Sequence, residues 1–141
     1  ISFALGHYAQ ALSPSAMALG TATKASGFNS LAMMRQSAAE GEFSAALGTA
    51  SWAKGNGSFA MGYSATAKAD QSIAIGAAET IKLPGQQHGT PSAQYNANGN
   101  TVTEGVRSLA FGTKARTSTA ASDSMAFGSS SSTGGANAVA M

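Results

Sequence analysis

The chain alternates a bulky apolar residue, an alanine and a second bulky apolar residue, with a small residue before the triplet and usually a glycine after it. The phrase reads Ser2-Phe3-Ala4-Leu5-Gly6 and returns every fourteen residues at Ala16, Ser30, Ser44, Ser58 and Ser72, then at Ser108, Ser124 and Ala138. Alternation with a period of two places both bulky columns on one face and the alanine column on the other, which predicts a strand. A fixed longer period predicts stacked repeats, a solenoid rather than a globule. The first bulky column holds Phe3, Met17, Leu31, Ala45, Phe59, Ile73, Leu109, Met125 and Val139, and the second holds Leu5, Leu19, Met33, Leu47, Met61, Ile75, Phe111, Phe127 and Met141. Between them every residue is alanine, so that face has room for a methyl group and no more.

A second small alternating stretch follows each glycine, as in Ala9-Gln10-Ala11, Ser51-Trp52-Ala53 and Ala115-Arg116-Thr117. Its middle column takes Gln10, Lys24, Ala38, Trp52, Thr66, Thr80, Arg116 and Ser132, a mixture suited to solvent. Each repeat therefore predicts two strands of about five residues. Two corners join them, one marked by Gly6, Gly20, Gly48, Gly62, Gly76, Gly112 and Gly128 because glycine takes the backbone angles a tight turn needs. The other corner is looser, with Gly27, Gly41 and Gly55 or Ser13 and Ala69 at matching places. Stacked in register, such turns give parallel ladders around a lumen of alanine, serine and threonine, with the bulky columns pointing out of the coil. A continuous apolar band of that length exceeds what a soluble monomer exposes. Each large side chain contributes roughly 1.5 to 3 kcal/mol when fully buried, so the band predicts obligate association.

Composition narrows the chemistry. Only 10% of the 141 residues are charged, and the net charge of +2 is scattered rather than gathered into a basic stripe, which argues against nucleic acid as a partner. No stretch reaches the roughly 20 consecutive apolar residues of a membrane span, so this segment predicts no direct membrane contact. There is no cysteine. His7 and His88 stand far apart, and Asp70 and Asp123 are the only aspartates, too few for a calcium-binding roll built on an aspartate in nearly every turn; no metal or other cofactor is expected. No Gly-x-Ser-x-Gly elbow and no histidine with an acid placed to activate a serine is present, so catalysis is not expected. Left-handed hexapeptide helices of acyltransferases repeat about every eighteen residues with a large aliphatic residue inside, the reverse of this pattern. The repeat is under way at Ile1 and unfinished at Met141, so the chain is expected to be a segment of a longer repetitive protein.

With Gln71-Ser72-Ile73-Ala74-Ile75-Gly76 and Asn29-Ser30-Leu31-Ala32-Met33, the chain resembles the YadA-like heads of trimeric autotransporter adhesins, whose repeat carries the phrase Asn-Ser-Val-Ala-Ile-Gly. The resemblance covers nearly all of the chain outside one insert. It implies an all-β fold, a left-handed parallel β-roll of about fourteen residues per turn, with three rolls side by side as a homotrimer and residues 1–141 forming a single β-roll head fragment. The implied function is non-catalytic attachment to host extracellular matrix or cells, or autoagglutination, with a fibre or spacer segment lacking its own ligand as the alternative. The implied place is the bacterial cell surface, anchored in the outer membrane through regions absent from this chain. On this reading the trimer interface comprises Phe3, Leu5, Met17, Leu19, Leu31, Met33, Leu47, Phe59, Met61, Ile73, Ile75, Leu109, Phe111, Met125 and Phe127.

Candidates for contact with a matrix protein or glycan come from the second strand and the insert. Trp52, the sole tryptophan, is either an isolated exposed aromatic or a contact anchor. Lys24, Lys54 and Lys68 share an outer side, either for solubility or as a ladder of cations meeting an acidic or sulfated polymer. His88 and Tyr95 complete the set. From Ser72 to Ser108 the spacing is 36 residues where one turn needs fourteen, leaving 22 within the stretch 77–107 to project. Asn98-Gly99 between Gln94-Tyr95-Asn96 and Thr101-Val102-Thr103 predicts a hairpin there. Two extra residues before Ser124 predict a bulge within 119–123, and Met34 at a glycine corner predicts a local irregularity.

Overall fold

The computed structural model describes residues 1–82 and 95–141. Two parallel ladders run the length of a coil: a nine-stranded sheet of the apolar phrases, from Phe3–Leu5 to Val139–Ala140, and an eight-stranded sheet of the second stretches, from Gln10–Ala11 to Ser132–Thr133. Each phrase pairs with its counterpart one turn away, Ala4 with Ala18, Ala32 with Ala46 and Ala60 with Ala74. The strands are shorter than the expected five residues, three in Leu31–Met33 and two in Lys24–Ala25. The serine and glycine that frame each phrase already belong to the corners.

The two faces fall as the alternation demands. Ala18, Ala32, Ala46, Ala60, Ala74, Ala110 and Ala126 have no exposed surface, and Ala25, Ala39, Ala53 and Ala67 meet them from the opposite wall. Apolar burial inside one chain thus comes almost wholly from methyl groups, and the backbone ladders do the rest. Buried serines close the corner before six of the nine phrases, at Ser30, Ser44, Ser58, Ser72, Ser108 and Ser124. The hydroxyls of Ser30, Ser44, Ser108 and Ser124 each donate to the carbonyl three residues earlier at 2.6 Å. In the last turns threonine replaces alanine on the second wall and binds across the lumen, with Ser108 Oγ and Thr117 Oγ1 2.8 Å apart.

At the glycine corner φ lies between 117° at Gly62 and 153° at Gly76. A Cβ on Gly62 would stand 2.0 Å from the carbonyl oxygen of Gly76, so the close approach of successive turns, as well as the angle, requires glycine. Met34 keeps the corner by shifting φ to 82°, still left-handed, while its N–H holds the ladder bond to Leu19 O at 2.9 Å. Left-handed backbone is not confined to that corner. Tyr8, Ala22, Gln36 and Ala50 hold φ between 55° and 59° two residues past it, and Ser15, Asn29, Phe43 and Gln71 hold similar angles just before the next phrase. The second corner, expected to be looser, is laced by polar contacts: Glu42 N to Asn56 Oδ1 at 3.0 Å, Asn56 N to Asp70 Oδ1 at 2.8 Å, and a two-point pair of Arg107 with Asp123 at 2.6 and 2.8 Å.

The long interval leaves the roll after Ala78, whose N–H donates to Tyr63 O at 2.9 Å, and rejoins it at Thr101, whose carbonyl accepts from Thr66 N at 2.9 Å. Residues 79–100 are the 22 in excess of one turn. The expected hairpin across Asn98-Gly99 is corrected: Tyr95–Asn98 pairs antiparallel with Glu79–Lys82, and Val102–Thr103 belongs to the second ladder between Thr66–Ala67 and Arg116–Thr117. Val102, not Thr80, therefore occupies the middle column of that turn. The two extra residues before Ser124 sit in a turn at Thr119 and Ala120.

Candidate functional site

Two surfaces of the roll lie on opposite sheets. On the first, the alanines hold the strand against the lumen and turn the bulky columns outward. Phe3, Leu5, Met17, Met33, Met61, Ile73, Phe111, Met125 and Phe127 are exposed on the single chain, and Leu19, Leu31, Leu47, Phe59, Ile75 and Leu109 are half-buried among them. Ladder register puts like on like, so Phe111 and Phe127 stack with ring centroids 4.9 Å apart and planes 6° from parallel. This surface has no polar residue in either column and can do little but exclude water.

The second surface is built on the middle column of the second ladder, where Lys24, Ala38, Trp52, Thr66, Val102 and Arg116 follow one another strand by strand. Trp52 is 36% exposed; its Nε1 donates to Glu40 Oε2 at 3.0 Å, and Lys54 Nζ stands 5.5 Å from the ring centroid as a cation over an aromatic face. Lys24 Nζ pairs with the other oxygen of Glu40 at 3.2 Å. Lys68 Nζ pairs with Glu104 at 2.5 Å, and that hydrogen bond, with the charges of Lys68 and Arg116, holds the Glu104 carboxyl below its usual range against a smaller effect of burial.

The three lysines, read as either solubilising or a ladder of cations, do not share one column. Lys24 lies within the strand column, Lys54 and Lys68 lie just past it, and two of the three are paired with glutamates that sequence reading did not single out. Glu40 sits twelve residues from Trp52 and sixteen from Lys24, the diagonal offsets of a fourteen-residue turn, and that spacing is the signal that would have found it. The middle column is also not uniformly solvent. Thr66 and Val102 are buried, at 6% and 3% exposure, because the long side chains of their neighbours rise on either side. Together Trp52, Thr66, Lys68, Gly99, Asn100, Val102 and Arg116 line a notch of about 380 Å³. His88 lies outside the described residues, as does the side chain of Tyr95, so neither candidate is placed. Among the described residues no group of three or more His, Asp or Glu is gathered as a metal site would require, and His7 packs against Tyr8 with ring centroids 4.1 Å apart.

The family pattern described as YadA head domain repeat (2 copies) matches residues 11–33, 39–65, 53–78 and 120–141, more than half of the chain. Among solved structures, the collagen-binding domain of the Yersinia adhesin YadA is similar, with 26% sequence identity and a TM-score of 0.79 over 99% of this chain. The chain spans 65% of that structure's length. No curated protein sequence matches.

Proposed function

Because the chain belongs to the YadA head domain repeat family, we propose that it is the head of a bacterial surface adhesin that assembles as a homotrimer, carries out no catalysis and attaches to extracellular matrix or host cells. The observation that carries this reading is the exposed apolar band on a roll whose own lumen is already closed by alanine. Such a band gains stability only against another surface, and a second copy offers the same columns at the same spacing along the coil axis. Three rolls packed through Phe3, Leu31, Ile75, Phe111 and the rest of the two columns turn the second ladder outward, where matrix can be reached. The similar Yersinia domain binds collagen by its description, which makes a matrix protein or glycan the first ligand class to try. The place proposed for the chain is the bacterial surface at the outer membrane.

Analytical ultracentrifugation and binding to immobilised collagen, fibronectin and laminin test the proposal together. Three chains per particle and saturable binding to at least one matrix component are expected, and Ile75→Asp should prevent assembly by placing a carboxylate in the apolar contact. A stable folded monomer at micromolar concentration refutes the trimer. A folded trimer that binds none of the matrix components and no cells leaves the spacer reading in its place.

A further inference from the structure

We propose that the notch between Trp52 and Arg116 is a binding site for an acidic saccharide. The inference rests on the adhesin reading only in that the second ladder must face outward. The notch arises from side-chain size alone. In register, Trp52, Thr66, Val102 and Arg116 occupy four successive strands, so the two long residues stand three strand spacings apart, about 14 Å at roughly 4.8 Å per step. The two short ones between them form a floor that is buried yet open above. Lys68 borders one side and Gly99 with Asn100 the other, giving a trough of about 380 Å³, a volume within the range of small-ligand sites and a length suited to a short oligosaccharide.

The chemistry of the walls selects the ligand. An indole presents a flat apolar face with negative potential, against which the axial C–H groups of a pyranose pack. Asn100 supplies both a donor and an acceptor for sugar hydroxyls. Arg116 makes no ion pair among the described residues, so its guanidinium retains its donors for a carboxylate or sulfate, which it can engage at two points. Of the residues lining the trough Lys68 and Arg116 are cations, and Glu104, paired with Lys68, is the carboxylate beside them, so the surplus is positive. The paired glutamates also hold the neighbouring groups in place: Glu40 bonds the indole N–H, which preorganises Trp52 at one end, and Glu104 bonds Lys68 on the side. A neutral sugar would use the indole but leave the guanidinium unsatisfied. A simple polyanion would use the cations but leave the indole idle.

Trp52 is the single tryptophan, so its fluorescence reads the site directly in the intact trimer. Titration with a hyaluronan tetrasaccharide, which carries carboxylates only, and with a heparin-derived tetrasaccharide, which adds sulfates, should give saturable changes in emission for at least one. The stronger of the two identifies the anion preferred. Binding should weaken with added salt, fall at least tenfold in Arg116→Ala, and fall at least tenfold in Trp52→Ala when read by calorimetry. Sedimentation of each variant confirms that the trimer is retained. Neutral chitotetraose equal to the acidic sugars, an unaltered affinity in Arg116→Ala, or a change in Trp52 emission with a triple-helical collagen peptide and not with either saccharide would each overturn the proposal. Matrix binding that persists while both saccharides leave Trp52 unchanged also overturns it, and leaves the adhesin reading intact.

Discussion

Ala45 and Ala46 are neighbours in one strand and face opposite ways, so the same substitution at each should have opposite effects. Ala46 has no exposed surface and lies in register between Ala32 and Ala60, with Ala39 and Ala53 on the facing wall. Ala45 is the one small residue in the outer columns, half-buried between Leu31 and Phe59. Leucine adds three carbons. In the lumen these have nowhere to go, because the ladder bonds on either side, such as Ala45 N to Ser58 O at 3.0 Å, fix the spacing of the turns. Overpacking of this kind costs about 1 to 3 kcal/mol per chain. In the outer column the same carbons, covered by a partner at about 0.8 kcal/mol each, contribute about 2 kcal/mol. Left in water they contribute almost nothing. Ala45→Leu and Ala46→Leu should therefore differ by about 3 to 5 kcal/mol per chain in a trimer, and by the lumen cost alone in a monomer. Urea unfolding at matched chain concentration measures the difference, since the stability of an assembly depends on protomer concentration. A neutral Ala46→Leu would refute the close-packed lumen. An Ala45→Leu as harmful as Ala46→Leu would refute the outer column as a surface that accepts volume.

Three further outcomes follow from particular contacts. Ala22 is exposed and holds φ at 55°, so Ala22→Gly should raise stability by about 0.5 to 1 kcal/mol in thermal unfolding, whereas a loss would mean that the residue is not strained. Glu104 has its folded pKa depressed by Lys68, so its contribution is full above the unfolded value of about 4.3 and is lost as pH falls through the folded one. Thermal unfolding between pH 5 and 3 should fall less steeply in Glu104→Gln than in the parent; a steeper fall in the variant would reverse the sign, and the gap should be small for so exposed a pair. Removing residues 79–100 to join Ala78 to Thr101 restores the phase of Ser64-Ala65 and asks Ala78 only for the left-handed angle that Ser64 holds at 56°, so melting should drop by no more than about 1 kcal/mol permits. Collapse of the assembly would show that the excess segment belongs to the architecture.

The period and the two faces were legible because they are set by the size of side chains. A lumen that admits only methyl groups writes alanine at every turn, and the outward columns carry Phe, Leu, Ile or Met at nearly every turn, so neither depends on a partner elsewhere in the sequence. The left-handed residues were not legible for the opposite reason. Ala22, Gln36 and Phe43 have no local preference for φ near 57° and take it because their N–H groups must meet the carbonyl of the neighbouring turn, as Phe43 N meets Phe28 O at 2.8 Å. Repetition makes that demand at every turn, and a propensity costing about 1 kcal/mol does not resist it. The place where the excess residues leave the roll was hidden in the same way. Thr80 and Val102 both fit an alternating stretch, and only the hydrogen bonds of Ala78 and Thr101 with the preceding turn decide between them. That choice has a consequence for the candidate site: because Val102 rather than Thr80 enters the ladder, Asn100 is delivered to the rim of the notch and Arg116 stands two strands beyond Thr66. The contacts that favour a ligand there are diagonal across turns, at offsets of twelve and sixteen or across the excess segment, and they become visible only when the period is used as a map of the surface and not merely as the sign of a repeat.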